Sequence, residues 1–79
     1  MNFGIVASTG ESFLDACRDK DLDPEDIYII NSVNDVSYML KSCEAEKITI
    51  FFADDAHDTH LSSRYIREVV NNHNKRGRG

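Results

Sequence analysis

Three short apolar runs, at residues 3–7, 27–30 and 48–53, are each followed by a polar turn and then by a stretch with helical spacing. No other feature narrows the fold so much. The run Ile27, Tyr28, Ile29, Ile30 is β-branched or aromatic throughout and offers no polar face to water, so it suits a strand covered on both sides. Strands alternating with helices predict a parallel sheet joined by right-handed crossovers. The expected fold is α/β: one small domain of two or three layers, β-α-β-α-β-α, with a three-stranded parallel sheet of the minimal Rossmann or flavodoxin-like kind. The third run carries Ile48, Ile50, Phe51 and Phe52 and is apolar enough to be the central strand. The winding instead favours the first strand, in the middle or beside the third.

Helices are expected over 11–20, 34–45 and 61–73. Ser8 and Glu11 have the spacing of a capping box before the first helix, whose apolar face is Phe13, Leu14 and Cys17. Residues 22–26, punctuated by Pro24, form a connector. Ser32 and Asp35 repeat the start signal before the second helix, where Val33, Val36, Met39, Leu40 and Cys43 make the clearest stripe. Residues 54–60 read as a polar loop, with Asp58 or Thr59 capping the third helix. That helix has Tyr65, Ile66, Val69 and Val70 as its apolar face, and His73 complements its C-terminal dipole. The domain is expected to fill residues 1–73 and to leave 74–79 as a disordered basic tail.

At 79 residues a single core supplies no more than roughly 3–5 kcal/mol. Cys17 and Cys43 both fall within helical stripes, so they are expected as reduced core thiols. No apolar run approaches the roughly 20 residues of a membrane span. The opening residues lack a basic lead and an apolar signal segment. The expectation is a cytoplasmic protein with no membrane partner.

The net charge of −5 is unevenly spread: residues 1–60 carry 13 acids against four bases, and residues 61–79 carry five bases against one acid. The body repels a phosphate backbone, so contact with nucleic acid is expected only through the basic end. Asp15, Asp19, Asp21, Asp23, Glu25 and Asp26 form a dense acidic stretch, the candidate face for a protein partner. An edge strand left open in so small a sheet is also a route to a homodimer.

Function in an open parallel sheet gathers at the carboxyl ends of the strands. Three loops meet there. In the first, Ser8, Thr9 and Gly10 precede a helix N-terminus and are candidate anion ligands, with Asn31 and Ser32 of the second. The same residues also suffice as helix caps, and neither a Gly-x-Gly-x-x-Gly spacing nor a P-loop lysine accompanies them. In the third loop, Asp54, Asp55, His57, Asp58 and His60 are candidate metal ligands. Magnesium would suit the oxygens alone, and zinc, manganese or iron a set that includes imidazole. No strained Gly-x-Ser-x-Gly turn marks a nucleophile, and no catalytic residue is assigned.

Two segments resemble known families. Phe51, Phe52, Ala53, Asp54, Asp55, Ala56, His57 and Asp58 resemble the third-strand region of Toprim domains, which implies magnesium bound by a glutamate after the first strand and an Asp-x-Asp after the third. Here the acids have a different spacing, Glu11 is displaced into the helix, and the family's Glu-Gly pair is absent. Residues 5–16, from Ile5 through Ser8, Gly10 and Phe13 to Ala16, resemble the opening of folate-dependent formyltransferases, whose catalytic residues lie in a later region. The reading that follows is a small acidic non-enzymatic binding or regulatory module acting on a larger protein partner, such as a nucleic-acid-handling enzyme. The alternative is a Toprim-like or nucleotide- or divalent-metal-binding domain built on the strand-end loops.

Overall fold

A computed structural model describes residues 2–76. Strand β1 (Asn2–Val6) leads to helix α1 (Gly10–Asp19) and a 3₁₀ turn (Pro24–Asp26). Strand β2 (Ile27–Ile30), helix α2 (Val33–Ser42) and strand β3 (Ile48–Phe52) follow. A second 3₁₀ turn (Ala56–Thr59) then precedes helix α3 (Ser63–Arg76). The strands form one parallel sheet in the order β2-β1-β3. The β-α-β-α-β-α expectation is thus the observed fold, consistent with a minimal Rossmann-like domain.

β1 is the central strand, not β3. The apolar character that suggested a central β3 has another cause. Lys20 Nζ lies 4.6 Å from the Phe51 ring centroid, and the Arg67 guanidinium lies 5.0 Å from that of Phe52. Both rings at this edge are covered by long cationic side chains whose stems are themselves apolar.

The pleat divides the core into two clusters. Val6, Ile30 and Ile48 pack with Val36, Met39 and Cys43 of the α2 region and with Ile66 and Val70 of α3. Ile5 and Ala7 pack on the other face with Phe13 and Cys17 of α1. The domain therefore has three layers, with α1 on one side of the sheet and α2 and α3 on the other. Gly4 faces α2: a Cβ there would lie 2.7 Å from Met39 Sδ and 3.0 Å from Ile50 Cδ1. The central strand needs a glycine because buried Met39 takes the space of a side chain. Cys17 and Cys43 are free and buried, as expected of core thiols.

Several boundaries differ from the sequence reading. Thr9, not Ser8, caps α1, and its box partner is Ser12, not Glu11. Thr9 Oγ1 accepts from the Ser12 N–H at 3.1 Å. The Ser32 and Asp35 box before α2 forms as expected, but the helix stops at Ser42, with Cys43 as its C-cap. Neither Asp58 nor Thr59 caps α3. Ser62 Oγ accepts from the Tyr65 N–H at 3.1 Å, and Thr59 Oγ1 serves the turn before it, accepting from the Leu61 N–H at 3.1 Å.

Leu14, Val33 and Tyr65, placed in apolar stripes by their spacing, are exposed. Helices lying on a sheet this narrow bury a thinner stripe than their sequences carry. Helix α3 runs through Asn74, Lys75 and Arg76, so the expected disordered tail does not begin at residue 74, and its remaining positions 77–79 lie outside the described residues.

Candidate functional site

The three loops expected to meet at the carboxyl ends of the strands do meet. With β1 in the middle, the chain leaves β1 toward α1 on one face and leaves β3 toward α3 on the other. This divergence is the switch point at which open α/β sheets bind ligands. The Asp55 carboxylate spans it, its Oδ1 accepting from the Ser8 N–H at 3.1 Å. Asn31 closes the other side, its Nδ2 donating to the carbonyls of Ala7 and Ser8 at 3.0 Å each. Ser8, Asn31 and Asp55 are thereby stitched together across the full width of the sheet.

That stitching uses the groups an anion would need. The Ser8 amide serves Asp55, and the Thr9 amide donates to Ser12 Oγ at 3.3 Å. The Asn31 and Ser32 amides both donate to Asp35 Oδ2, at 2.9 and 3.1 Å. A Cβ on Gly10 would meet nothing within 4 Å, so no close backbone approach depends on this glycine. Every candidate anion ligand with an amide in these two loops, Gly10 aside, already donates it to a side chain of the protein itself. The Asp55 carboxyl is held below the usual aspartate range, first by the Ser8 N–H, with partial burial opposing, and then by the Ser12 hydroxyl, its own backbone and His57. A fixed negative charge therefore sits in the crevice where an anion would have to bind.

The candidate metal ligands do not converge. Among the described residues, no group of three or more His, Cys, Asp or Glu side chains is arranged to hold a metal ion. His57 Nε2 lies 3.3 Å from Asp58 Oδ1, with both side chains exposed. His60 ends the 3₁₀ turn with φ of 61°, in the left-handed region. The metal expectation gains no support from this arrangement, in which only His57 and Asp58 of the five candidates lie within the 3₁₀ turn.

Asp54 and Asp55 instead join part of the acidic stretch. With Ser12, Asp15, Asp19 and Lys20 they line an open hollow of about 440 Å³ between α1 and the end of β3. Asp15 makes an exposed ion pair with Arg18 at 3.4 Å. The rest of the stretch lies elsewhere. Asp21 follows α1 with φ of 56°, and Asp23 caps the first 3₁₀ turn by accepting from the Glu25 N–H at 3.0 Å. Glu25 and Asp26 line a separate hollow of about 310 Å³ with Asn2, Ile27 and Tyr28 at the start of β2. The single acidic face expected from the sequence is thus two acidic hollows joined by a turn.

Two features had no signal in the local sequence. His73 Nε2 donates to the carbonyls of Cys43 and Glu46, at 2.8 and 2.9 Å, so it ties down the end of α2 as well as its own helix. A groove of about 520 Å³ runs between α2 and α3 beside it, lined by Lys41, Glu44, Asn72 and Arg76 among others. It lies away from the strand-end loops. Both features depend on residues some 30 positions apart in the chain.

No helix among the described residues is long and apolar enough to cross a membrane. Compared with models of protein families, with curated proteins and with solved structures, the chain matches none. The Toprim and formyltransferase likenesses rest on the residues quoted for them. Fold and loops together define a three-layer parallel α/β domain whose strand-end crevice is bridged by its own side chains.

Proposed function

We propose that this protein is a small non-enzymatic binding module whose acidic surface docks on a basic region of a larger protein partner. The observation that carries the reading is the hollow lined by Asp15, Asp19, Asp54 and Asp55, which brings acids from two distant segments onto one concave surface. Among the described residues Lys20 is the one cation lining it, and its ammonium is drawn over the Phe51 ring. A lysine or arginine side chain of a partner is the complement of such a hollow. Surface acids of this kind steer association and set specificity more than they add affinity. Enzymes that handle nucleic acids carry basic surfaces and belong to the class of partner implied.

The reading is tested by affinity capture from the cells that make the protein, at low salt and at about 0.5 M salt, where screening is nearly complete beyond a few ångströms. The retained protein is then purified and its binding remeasured against the variant Asp15→Asn/Asp19→Asn/Asp54→Asn. Retention at low salt, release at high salt and loss of binding by the variant are expected. Capture that depends on neither salt nor these carboxylates would overturn the reading, as would no specific capture at low salt. Magnesium and nucleotides at millimolar concentration are expected to leave the amide resonances of residues 8–11 and 54–60 in place. Shifts there would favour the ligand-binding alternative.

A further inference from the structure

The two edges of the sheet are finished differently. At the β3 edge, Lys20 and Arg67 lie over Phe51 and Phe52. Cations at a sheet edge are a common guard against added strands, and these would repel a basic one. Among the described residues, none guards the β2 edge in this way. Ile30 O accepts from the Ala7 N–H at 3.0 Å. The alternation along a strand therefore turns the N–H and C=O of Ile29 away from β1. The Ile27 N–H is taken by Pro24 O, which leaves Ile29 as the donor on this edge of β2.

Apolar surface flanks the edge on both faces. Ile29 shares a register row with Ile5 on the α1 side and is 42% exposed. On the α2 side, Tyr28 meets Tyr38 edge to face at 6.0 Å, and Tyr38 is 66% exposed. The edge begins at the hollow lined by Glu25, Asp26 and Asn2. Asn2 Nδ2, shielded from solvent, finds no hydrogen-bond acceptor among the described residues. An apolar strand edge that starts beside two carboxylates and an unmatched amide donor has a definite complement.

We infer that the β2 edge takes up an extended, apolar segment of a protein partner as a fourth strand, with lysine or arginine at the end of that segment lying beside Glu25 and Asp26. This rests on the reading of the protein as a binding module for a basic partner, and specifies the form in which part of the partner is bound. Main-chain hydrogen bonds to Ile29 supply affinity, alternate side chains of the segment pack on Ile29 and on Tyr38, and the acids choose its charge. A second copy of this chain meets the apolar requirement through its own β2. In a symmetric antiparallel pair it would bring the end of its own β2, Ile30 to Ser32, beside Glu25 and Asp26, and none of these residues is a cation.

The test uses a phage-displayed library of random dodecapeptides, selected on the whole protein and counter-selected on Ile29→Pro. Proline removes the outward donor and is tolerated on an edge strand. Ile29→Lys, which keeps the backbone donor but guards the edge with a cation, is the second variant, and circular dichroism checks that both fold. Enriched peptides are expected to alternate apolar residues and to carry Lys or Arg at one end. A selected peptide made synthetically should bind roughly three- to tenfold more weakly to Ile29→Pro, as the loss of one hydrogen bond implies. It should also shift the amide resonances of residues 27–30. Peptides that bind both variants as well as the wild type, or that lack basic residues, overturn the inference. No enrichment overturns it too, as does a wild-type dimer that Ile29→Pro dissociates. If basic peptides bind through Asp15, Asp19 and Asp54 and ignore residue 29, the edge is wrong and the binding-module reading stands. If capture depends on neither charge nor salt, that reading fails as well.

Discussion

Asp55 stands at the switch point of the sheet with its charge fixed in place by the Ser8 amide. A carboxyl held below its ordinary range contributes stability that is fully present above the ordinary aspartate pKa. That contribution is lost as pH falls through the lowered value. The variant Asp55→Asn keeps an oxygen for the Ser8 N–H but has no charge to titrate. It should be less stable than the wild type near neutrality and approach it in acid, with the gap closing below about pH 4. Thermal unfolding followed by circular dichroism across that range measures the gap, and a gap that does not change with pH would contradict the assignment. Gly4 makes a second residue-level prediction. A Cβ there collides with Met39, which is fully buried and cannot withdraw to solvent. Gly4→Val should therefore cost about 1–3 kcal/mol, the usual range for overpacking a core. The better strand propensity of valine offsets only part of this, and urea unfolding reads the difference.

Beyond the packing of Ile66 and Val70 with Ile48, a side chain of helix α3 hydrogen-bonds to the start of β3. Asn74 Oδ1 accepts from the Ile48 N–H at 2.8 Å, and Asn74 Nδ2 donates to the Ile48 carbonyl at 2.9 Å. The amide imitates the edge of a neighbouring strand. Asn74→Ala leaves both groups of Ile48 without that partner, at an expected cost of about 1–3 kcal/mol. Truncation before residue 74 should destabilise at least as much in urea, whereas a solvated tail would be removed at no cost. Nothing local announces this role, since Asn74 and Ile48 are 26 positions apart in the chain. The same distinction explains what could be read from the sequence and what could not. The bounds of β2 and the Ser32 and Asp35 box are set by adjacent residues, and both are as expected. Thr9 displaced Ser8 as the cap of α1 because the Ser8 amide is drawn toward Asp55, 47 positions away. The meeting of the three loops followed from topology. The closure of the crevice by Asp55 and Asn31 did not, because aspartate and asparagine in a loop are equally suited to solvent. Among the described residues the candidate metal donors of 54–60 form no group arranged for an ion, and only His57 and Asp58 of them lie within the 3₁₀ turn.

Charge is distributed across the molecule in a way that works against its own compactness. The acids from mid-α1 through the turn after it, Asp15, Asp19, Asp21, Asp23, Glu25 and Asp26, are all exposed. They face few cations of their own: Arg18 pairs with Asp15 in solvent, a contact of the kind that contributes little. The basic residues Arg64, Arg67, Lys75 and Arg76 lie on α3, which packs on the opposite face of the sheet from α1. Repulsion among the acids should therefore lower stability at low ionic strength and be screened once the Debye length falls to about 10 Å, at roughly 0.1 M salt. The melting temperature is expected to rise with sodium chloride over this range. A variant with Asp15, Asp19, Asp21 and Asp26 replaced by asparagine should begin higher and rise less. Asp23 is left in place because its side chain caps the 3₁₀ turn. Thermal melts at a series of salt concentrations decide the matter. A variant as salt-sensitive as the wild type, or less stable at low salt, would mean that these acids are structurally balanced by groups of the fold. The expected result would mean that their surplus charge is a standing cost to the domain, one that a basic partner relieves on binding.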